Sequence, residues 1–211
     1  MIERLAELDR AAFLLLNGKL HAPPLDSLMV ALTTQDNWVP VLAGLWLALV
    51  IWGGRRGRMA AAMLVVAVAL SDQISCSVIK PLVARVRPAN ALPEGTVRLL
   101  VGRSGAFSFP SAHAANNFAA ASVVAWRWPR FTVMAFSVAA LVAYSRIYVG
   151  AHFPGDVVGG AVLGLMCGRG AIWMVAASVR SFERARASRA GRGPTADPRP
   201  SPPEDSASSG S

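Results

Sequence analysis

The strongest constraint on the fold is a series of apolar runs in which charged side chains are rare. Four of them cover residues 38–52, 59–79, 131–149 and 157–179, and a fifth covers residues 112–126 and begins with polar side chains. A helix that spans a bilayer needs about 20 mostly apolar residues, and polar ends that extend into the headgroups bring the shorter runs to that length. The pattern predicts an all-α, polytopic membrane helix bundle with five clear spans.

The composition excludes an ordinary soluble domain. Only 16% of the 211 residues are charged, whereas about 25% is usual in soluble domains. The net charge of +9 is compatible with nucleic-acid binding, but the arginines cluster in gaps between apolar runs and in the C-terminal tail. The interleaved aromatic residues that stack on single strands are missing from the sequence. We therefore expect no nucleic-acid partner, and a lipid bilayer around the protein.

The arginine-rich gaps predict the topology. They lie at residues 53–58, at residues 127–130 and in the tail after residue 180, so alternating spans place all three on one side. Because positive loops stay in the cytoplasm, residues 80–111 and 150–156 are expected to face outward.

The chain divides into three regions by composition. Residues 1–34 form an N-terminal interfacial segment, in which residues 4–16 read as an amphipathic helix, and a sixth span stays open if part of this segment inserts. Residues 35–180 form the membrane-embedded domain, and residues 181–211 form a basic and then disordered cytoplasmic tail. The two cysteines, Cys76 and Cys167, lie inside apolar runs and read as packing residues rather than a disulfide.

Three stretches carry polar chemistry that a simple membrane helix does not need. They are KPLVARVRP at residues 80–88, FPSAHAANN at residues 109–117 and SRIYVGAHFPGD at residues 145–156. In the predicted topology all three lie at the outer ends of helices, so we expect them to converge.

The residue types in these stretches suit a phosphate group. Lys80, Arg87 and Arg146 supply three positive charges. Pro110 indicates a helix start just after it, and a helix N-terminus offers free N–H groups to an anion.

The histidines suit acid–base and nucleophilic chemistry. His113 and His152 titrate near neutrality, which provides for one nucleophile and one acid. Asp156, four residues after His152, can accept a hydrogen bond from the imidazole and set its tautomer. Taken singly, each of these residues has an ordinary explanation, such as a basic headgroup anchor or a helix N-terminal acid.

Other polar residues have no place in this scheme. Asp72, inside an apolar run, and Asn116 and Asn117 are interpreted as contacts between helices. Arg85, Arg98 and Arg103 are left for the substrate headgroup or anionic lipids.

The three stretches, in this order, resemble the type-2 phosphatidic acid phosphatase family of membrane lipid phosphatases. The family pattern is Lys, six residues and Arg-Pro, then Pro-Ser-Gly-His, then Ser-Arg, five residues, His, three residues and Asp. The chain departs from it at Ala112, which replaces glycine. We expect the change to be tolerated if residue 112 has ordinary helical angles.

The resemblance implies a role for each matching residue. It makes His152 the nucleophile, Asp156 the group that orients it, and His113 the acid for the leaving oxygen. It assigns phosphate binding to Lys80, Arg87, Ser111 and Arg146. It requires neither a metal nor another cofactor.

The function expected from this resemblance is hydrolysis of a lipid phosphate or diphosphate through a phosphohistidine. The small size favours undecaprenyl (polyprenyl) diphosphate as the substrate, as in small bacterial members, at the outer face of the bacterial inner membrane. The alternative within the class is a lipid A, phosphatidylglycerophosphate or phosphatidate phosphatase. The alternative of another class is a non-catalytic lipid-binding membrane protein, and the oligomeric state is left open.

Overall fold

The protein is all-helical over the part of the chain that its computed structural model describes, which is residues 2–19, 21–103 and 105–190. Within these ranges an isolated β-bridge joins Val86 and Phe107, and there is no β-strand. The α-helices are α1 (Ile2–Phe13), α2 (Pro23–Thr33), α3 (Val39–Ile51), α4 (Gly54–Gln73), α5 (Lys80–Val83), α6 (Pro88–Ala91), α7 (Ala112–Arg127), α8 (Thr132–Tyr148) and α9 (Pro154–Ala190).

Three helical segments in the described residues are long and apolar enough to cross a membrane. They are Gly54–Val83, Pro129–Tyr148 and Pro154–Ser188. The first joins α4 to α5 through a π-helical turn, Ile74–Ile79. Helix α3 is apolar but has only 13 residues, and α7 has 16. The all-α membrane fold is thus confirmed, and the number of spans stays a prediction.

The apolar core is built where α4, α7 and α9 meet. Its buried members are small or flexible side chains, namely Met63, Ala67, Ala119, Val123, Cys167 and Ala171. Cys167 is therefore a packing residue, as predicted. Cys76 is exposed instead, so its interpretation as a packing residue is wrong.

Glycines allow α9 to approach α7 closely. A Cβ atom on Gly160 would lie 2.4 Å from the Ser111 carbonyl oxygen, and one on Gly164 would lie 2.2 Å from that of Ala115. Small residues four positions apart form one face of a helix, and in lipid such a face lets two backbones pack in contact. This packing fixes the start of α7 against the start of α9.

The N-terminal segment packs against the loops at the same end of the bundle. Phe13 is fully buried, and its ring meets that of Phe153 edge-on at a centroid distance of 5.2 Å. Asn17 donates from Nδ2 to the Tyr148 carbonyl oxygen at 2.8 Å and to that of Arg98 at 3.0 Å. Helix α1 therefore packs against the rest of the protein. Its expected position at the membrane surface remains a prediction.

The chain separates into two compact units, residues 1–176 and 177–211. The described part of the second unit is the C-terminal part of α9, which ends at Ala190. The remainder of the predicted disordered tail, residues 191–211, lies outside the described residues.

Candidate active site

The three polar stretches meet at one end of the helix bundle. Ser111 in the second stretch donates its backbone N–H to the Asp156 carbonyl oxygen in the third at 2.9 Å. Arg87 in the first stretch places Nη1 3.2 Å from Nε2 of His152 in the third. The expected convergence of the stretches is confirmed.

His152 is held between a guanidinium and a carboxylate. Only 2% of the residue is exposed. Because a guanidinium can only donate, the contact with Arg87 requires Nε2 to be the unprotonated nitrogen. The ring proton then lies on Nδ1, which faces Oδ2 of Asp156 at 3.5 Å, slightly beyond a normal hydrogen bond. This arrangement leaves the Nε2 lone pair beside a cation.

The His152 ring is neutral at physiological pH. Burial is the main cause and lowers the pKa of His152 from 6.5 to about 4. Asp156 acts in the opposite direction, and the nearby charges of Arg87 and Arg146 lower this pKa further. A neutral imidazole with an unprotonated nitrogen is the form that can attack phosphorus, once a phosphate oxygen has taken over the hydrogen bond from Arg87.

Asp156 is fully buried and its carboxylate is well satisfied. Oδ2 accepts from the backbone N–H of Phe153 at 2.9 Å, and Oδ1 accepts from Nη1 of Arg85 at 2.7 Å. The carboxylate is thereby fixed in orientation, with one edge toward the imidazole.

Arg87 is anchored through its own side chain. Nε donates to the Gly105 carbonyl oxygen at 2.6 Å, and Nη1 donates to that of Ala151 at 3.1 Å. Burial lowers the pKa of Arg87 from its usual value, while the charge of Asp156 raises it. The guanidinium stays charged and sits directly beside the candidate nucleophile.

Ser111 begins α7 as predicted. It is the N-cap, and its hydroxyl accepts from the Ala114 N–H at 3.5 Å. Ala112 is the first helical residue of α7. Among the described non-glycine residues, a positive φ occurs at Ala84 and not at Ala112. The exchange of glycine for Ala112 therefore requires no strained backbone.

Arg146 is buried at the end of α8 with one donor left over. Nη1 donates to the hydroxyl of Thr33, whereas Nε has no hydrogen-bond partner among the residues that the structure describes. The same Thr33 offers its backbone to the ring of His113, which lies within electrostatic range of Arg146 and His152. A buried cation with an unsatisfied N–H group beside two histidines is suited to an anionic ligand.

Lys80, the remaining cation that the motifs predict for the site, is the first residue of α5. Its Nζ lies 3.5 Å from Sγ of Cys76, one helical turn earlier, and within electrostatic range of His113. A thiol is a weak acceptor, so the ammonium group keeps most of its capacity for a stronger anion.

Asp72 has a structural partner, in agreement with its interpretation. Its Oδ1 accepts from Nδ2 of Asn116 on α7 at 3.2 Å, and Asn116 in turn accepts from the hydroxyl of Ser71 at 2.5 Å. Asn117 instead donates to the carbonyl oxygen of His113 in its own helix. Among the described residues, the expected hydrogen bond to another helix is present for Asn116 and not for Asn117, so the interpretation of Asn117 is corrected.

The motifs gave no catalytic or phosphate-binding role to three further residues at the site. Arg85 binds Asp156 and also Asp9 of α1, and Thr33 of α2 binds Arg146. The expectation that Arg85 and Arg98 serve the headgroup or lipids is replaced by intramolecular ion pairs, since Arg98 pairs with Asp26. In the sequence, the position of Arg85 two residues before Arg87 could have indicated that it belongs to the site. No motif around Asp9 or Thr33 indicates a place in the site.

The fold and the site's chemistry define a class: a membrane-embedded helical phosphatase acting on lipids. Residues 60–180 match the PAP2 superfamily, so the chain belongs to that family. A lipid A 4'-phosphatase of Bacteroides thetaiotaomicron is 36% identical over 172 residues, which cover 78% of this chain and 75% of that protein. An undecaprenyl-diphosphatase of Sulfolobus acidocaldarius is 32% identical over 145 residues, 66% of each chain.

A solved structure agrees with this membership. The crystal structure of LpxE of Aquifex aeolicus superposes with a TM-score of 0.67 at 31% identity, covering 78% of this chain and 94% of that one. The predicted family, the enzyme class and the phosphatase activity are thereby confirmed.

Proposed function

We propose that this protein removes a phosphate monoester from lipid A or a closely similar phosphorylated glycolipid, at the outer face of the membrane, through a phosphohistidine on His152. The expected undecaprenyl diphosphate gives way to the alternative substrate. The support is that a relative with 36% identity is named a lipid A 4'-phosphatase, against 32% over a shorter stretch for the undecaprenyl-diphosphatase.

The observation that carries the proposed mechanism is the double contact of the His152 ring. Nε2 faces Arg87 at 3.2 Å and Nδ1 faces Asp156 at 3.5 Å. A phosphate oxygen that binds Arg87 brings its phosphorus next to the Nε2 lone pair. The nucleophile and the charge that stabilises the transferred group are thus adjacent before substrate binds.

The reaction proceeds in two displacements. Nε2 of His152 attacks phosphorus, the bond from phosphorus to the lipid oxygen breaks, and His113 gives its proton to that oxygen. Water then attacks the phosphorus of the phosphohistidine, His113 takes a proton from this water, and Nε2 leaves as the neutral imidazole. Asp156 stabilises the positive charge that the ring carries in between.

The remaining site residues hold the phosphate. Lys80 and Arg87 supply charge, and Arg146 adds a buried Nε–H that has no partner in the described part of the chain. Ser111 caps α7, whose first N–H groups complete the cradle. These donors stabilise the charge that develops on the phosphoryl oxygens.

The substrate is tested with a panel of lipids and purified protein in detergent. Phosphate release is measured from lipid A, undecaprenyl diphosphate, phosphatidylglycerophosphate and phosphatidate, with His152→Ala as the blank. We expect the highest kcat/KM for lipid A, and undiminished rates in EDTA because the mechanism requires no metal. A higher kcat/KM for undecaprenyl diphosphate overturns the proposed substrate, and a rate lost in EDTA and restored by a divalent cation overturns the mechanism.

A further inference from the structure

Helix α1 reaches the candidate catalytic carboxylate through one arginine. Nη1 of Arg85 lies 2.7 Å from Oδ1 of Asp156, and Nη2 lies 2.5 Å from Oδ2 of Asp9. Asp9 belongs to α1, outside residues 60–180 that match the family. The result is an acid–base–acid chain from the N-terminal helix to the residue that faces His152.

We propose that Arg85 and Asp9 are positioning residues for phosphoryl transfer: Arg85 fixes the Asp156 carboxylate toward His152, and Asp9 fixes Arg85. This inference rests on the proposed role of His152 as nucleophile. It extends the functional unit to the N-terminal helix.

The bond pattern of Asp156 explains what Arg85 does. The Phe153 N–H holds Oδ2, the oxygen that faces His152, and Arg85 holds Oδ1. Without Arg85, a fully buried carboxylate oxygen loses its charged partner. The carboxylate can then turn away from the imidazole, and its negative charge is no longer offset.

Asp9 also fixes the loop that carries His152. Its Oδ1 accepts from the Gly155 N–H at 2.6 Å, so it binds one of the free amide groups at the start of α9. A negative charge is favourable at a helix N-terminus.

Two aromatic rings, those of Phe153 and Phe13, pack beside this ion-pair chain. The Arg85 guanidinium lies over the Phe153 ring at 4.4 Å from its centroid, and Phe13 of α1 packs against the edge of that ring. Phe153 is the residue next to His152. Helix α1 thus contacts both Arg85, which binds the Asp156 carboxylate, and Phe153, which follows His152 in the chain.

Arg85 is poorly placed to bind substrate itself. Both of its terminal nitrogens form hydrogen bonds to carboxylates, unlike Arg146, which within the described ranges keeps an unpartnered N–H group. An ordinary surface ion pair does not fit either, because the Asp156 side chain is 0% exposed and that of Asp9 is 14% exposed. What remains is an action on catalysis through Asp156.

A double-mutant cycle tests whether Arg85 acts through Asp156. Arg85→Gln should lower kcat about 10²-fold, the scale of effect expected when a reacting group is misplaced by about 1 Å. The KM for the lipid should change little, since Arg85 makes no phosphate contact. In an Asp156→Asn background the same change should cost almost nothing more, because its target is gone. Multiplicative loss of kcat in the double variant overturns the inference.

Conservative and control variants separate positioning from folding. Arg85→Lys keeps the charge and should recover much of the kcat lost in Arg85→Gln. Asp9→Asn should lower kcat with KM nearly unchanged, whereas Glu7→Gln, an exposed acid on the same helix, should match the wild type. Failure of Arg85→Lys to exceed Arg85→Gln, or an Asp9→Asn enzyme equal to the Glu7→Gln enzyme, contradicts the proposal.

Inhibition by inorganic phosphate serves as the check on the phosphate pocket. Its inhibition constant should be unchanged in Arg85→Gln, and a large increase would make Arg85 a binding residue and refute positioning. Full activity in His152→Ala would instead refute the proposed function, so the two failures are distinguishable.

Discussion

His152 combines deep burial, a neutral ring and two neighbours that fix its tautomer. Asp156 faces one ring nitrogen and Arg87 the other, so the imidazole is oriented before any ligand arrives. The same burial also disfavours protonation of the imidazole ring. Both properties have measurable consequences.

The first consequence is a dependence of stability on pH. Because the pKa of His152 is lowered from 6.5 to about 4 in the folded state, the unfolded chain alone takes up this proton between those values. The ring therefore costs no stability above pH 6.5 and progressively more as pH falls toward 4. Thermal unfolding in detergent should show the midpoint of the wild type falling relative to that of His152→Gln across this range. A constant difference would show that burial does not hold the ring neutral.

His113 should matter according to the leaving group. Removing a general acid typically costs about 10²–10⁴-fold in rate. A phosphate monoester leaves as an alkoxide unless it is protonated, while a diphosphate leaves as a stable phosphate ester. In steady-state assays His113→Ala should therefore slow a lipid monophosphate more than a lipid diphosphate, with His152→Ala slowing both alike. Equal losses for the two substrates in His113→Ala would exclude its role as the acid.

At the scale of elements, the site depends on how closely α9 approaches α7. Gly160 packs at the carbonyl of Ser111 and Gly164 at that of Ala115, so the glycine face sets the distance between the start of α7 and Asp156. The Ser111 N–H to Asp156 carbonyl bond of 2.9 Å depends on this contact.

The glycine face is tested by adding one methyl group. In Gly164→Ala the new Cβ would lie 2.2 Å from the Ala115 carbonyl oxygen, so the helices must separate. Overpacking of this kind costs about 1–3 kcal/mol, and the unfolding temperature and kcat should both fall. Gly170→Ala is the matched control, since nothing lies within 4 Å of its new Cβ. Equal behaviour of the two variants would contradict the packing.

The sequence motifs predicted the residues of the candidate site better than the residues that hold them in place. Lys80, Arg87 and His152 could be placed at one end of the bundle because their positions at helix ends follow from the apolar runs, and the family resemblance implied their roles. Asp9 could not, because its bond to Arg85 depends on how α1 docks against the loops. Cys76 was misread because its apolar neighbours in sequence do not cover it in the fold.

At the scale of the whole molecule, the directions of α7 and α8 show which loops lie at the same end as the site and which lie at the opposite end. His113 is near the start of α7 and Arg146 near the end of α8, so the loop between these helices, with Arg127 and Arg130, lies at the end away from the site. The charge pattern assigns this end to the cytoplasm. We therefore predict that the site faces outward.

The orientation is tested by labelling introduced cysteines in intact cells. After Cys76 and Cys167 are replaced, a membrane-impermeant thiol reagent should label Thr96→Cys, which is exposed in the outer loop. It should label Pro129→Cys, exposed in the loop between α7 and α8, only after the cells are permeabilised. The reverse pattern would invert the topology and place the site in the cytoplasm.

The central claim is that the phosphoryl group passes through His152. The direct measurement is rapid-quench trapping with a lipid whose reacting phosphate is radioactive. The wild type should give a transient protein label that is stable to base and lost in acid, as a phosphorus–nitrogen bond requires. His113→Ala should still form this label, and His152→Ala should form none. Label retained in His152→Ala and missing in His113→Ala would show that the two histidines have the opposite roles.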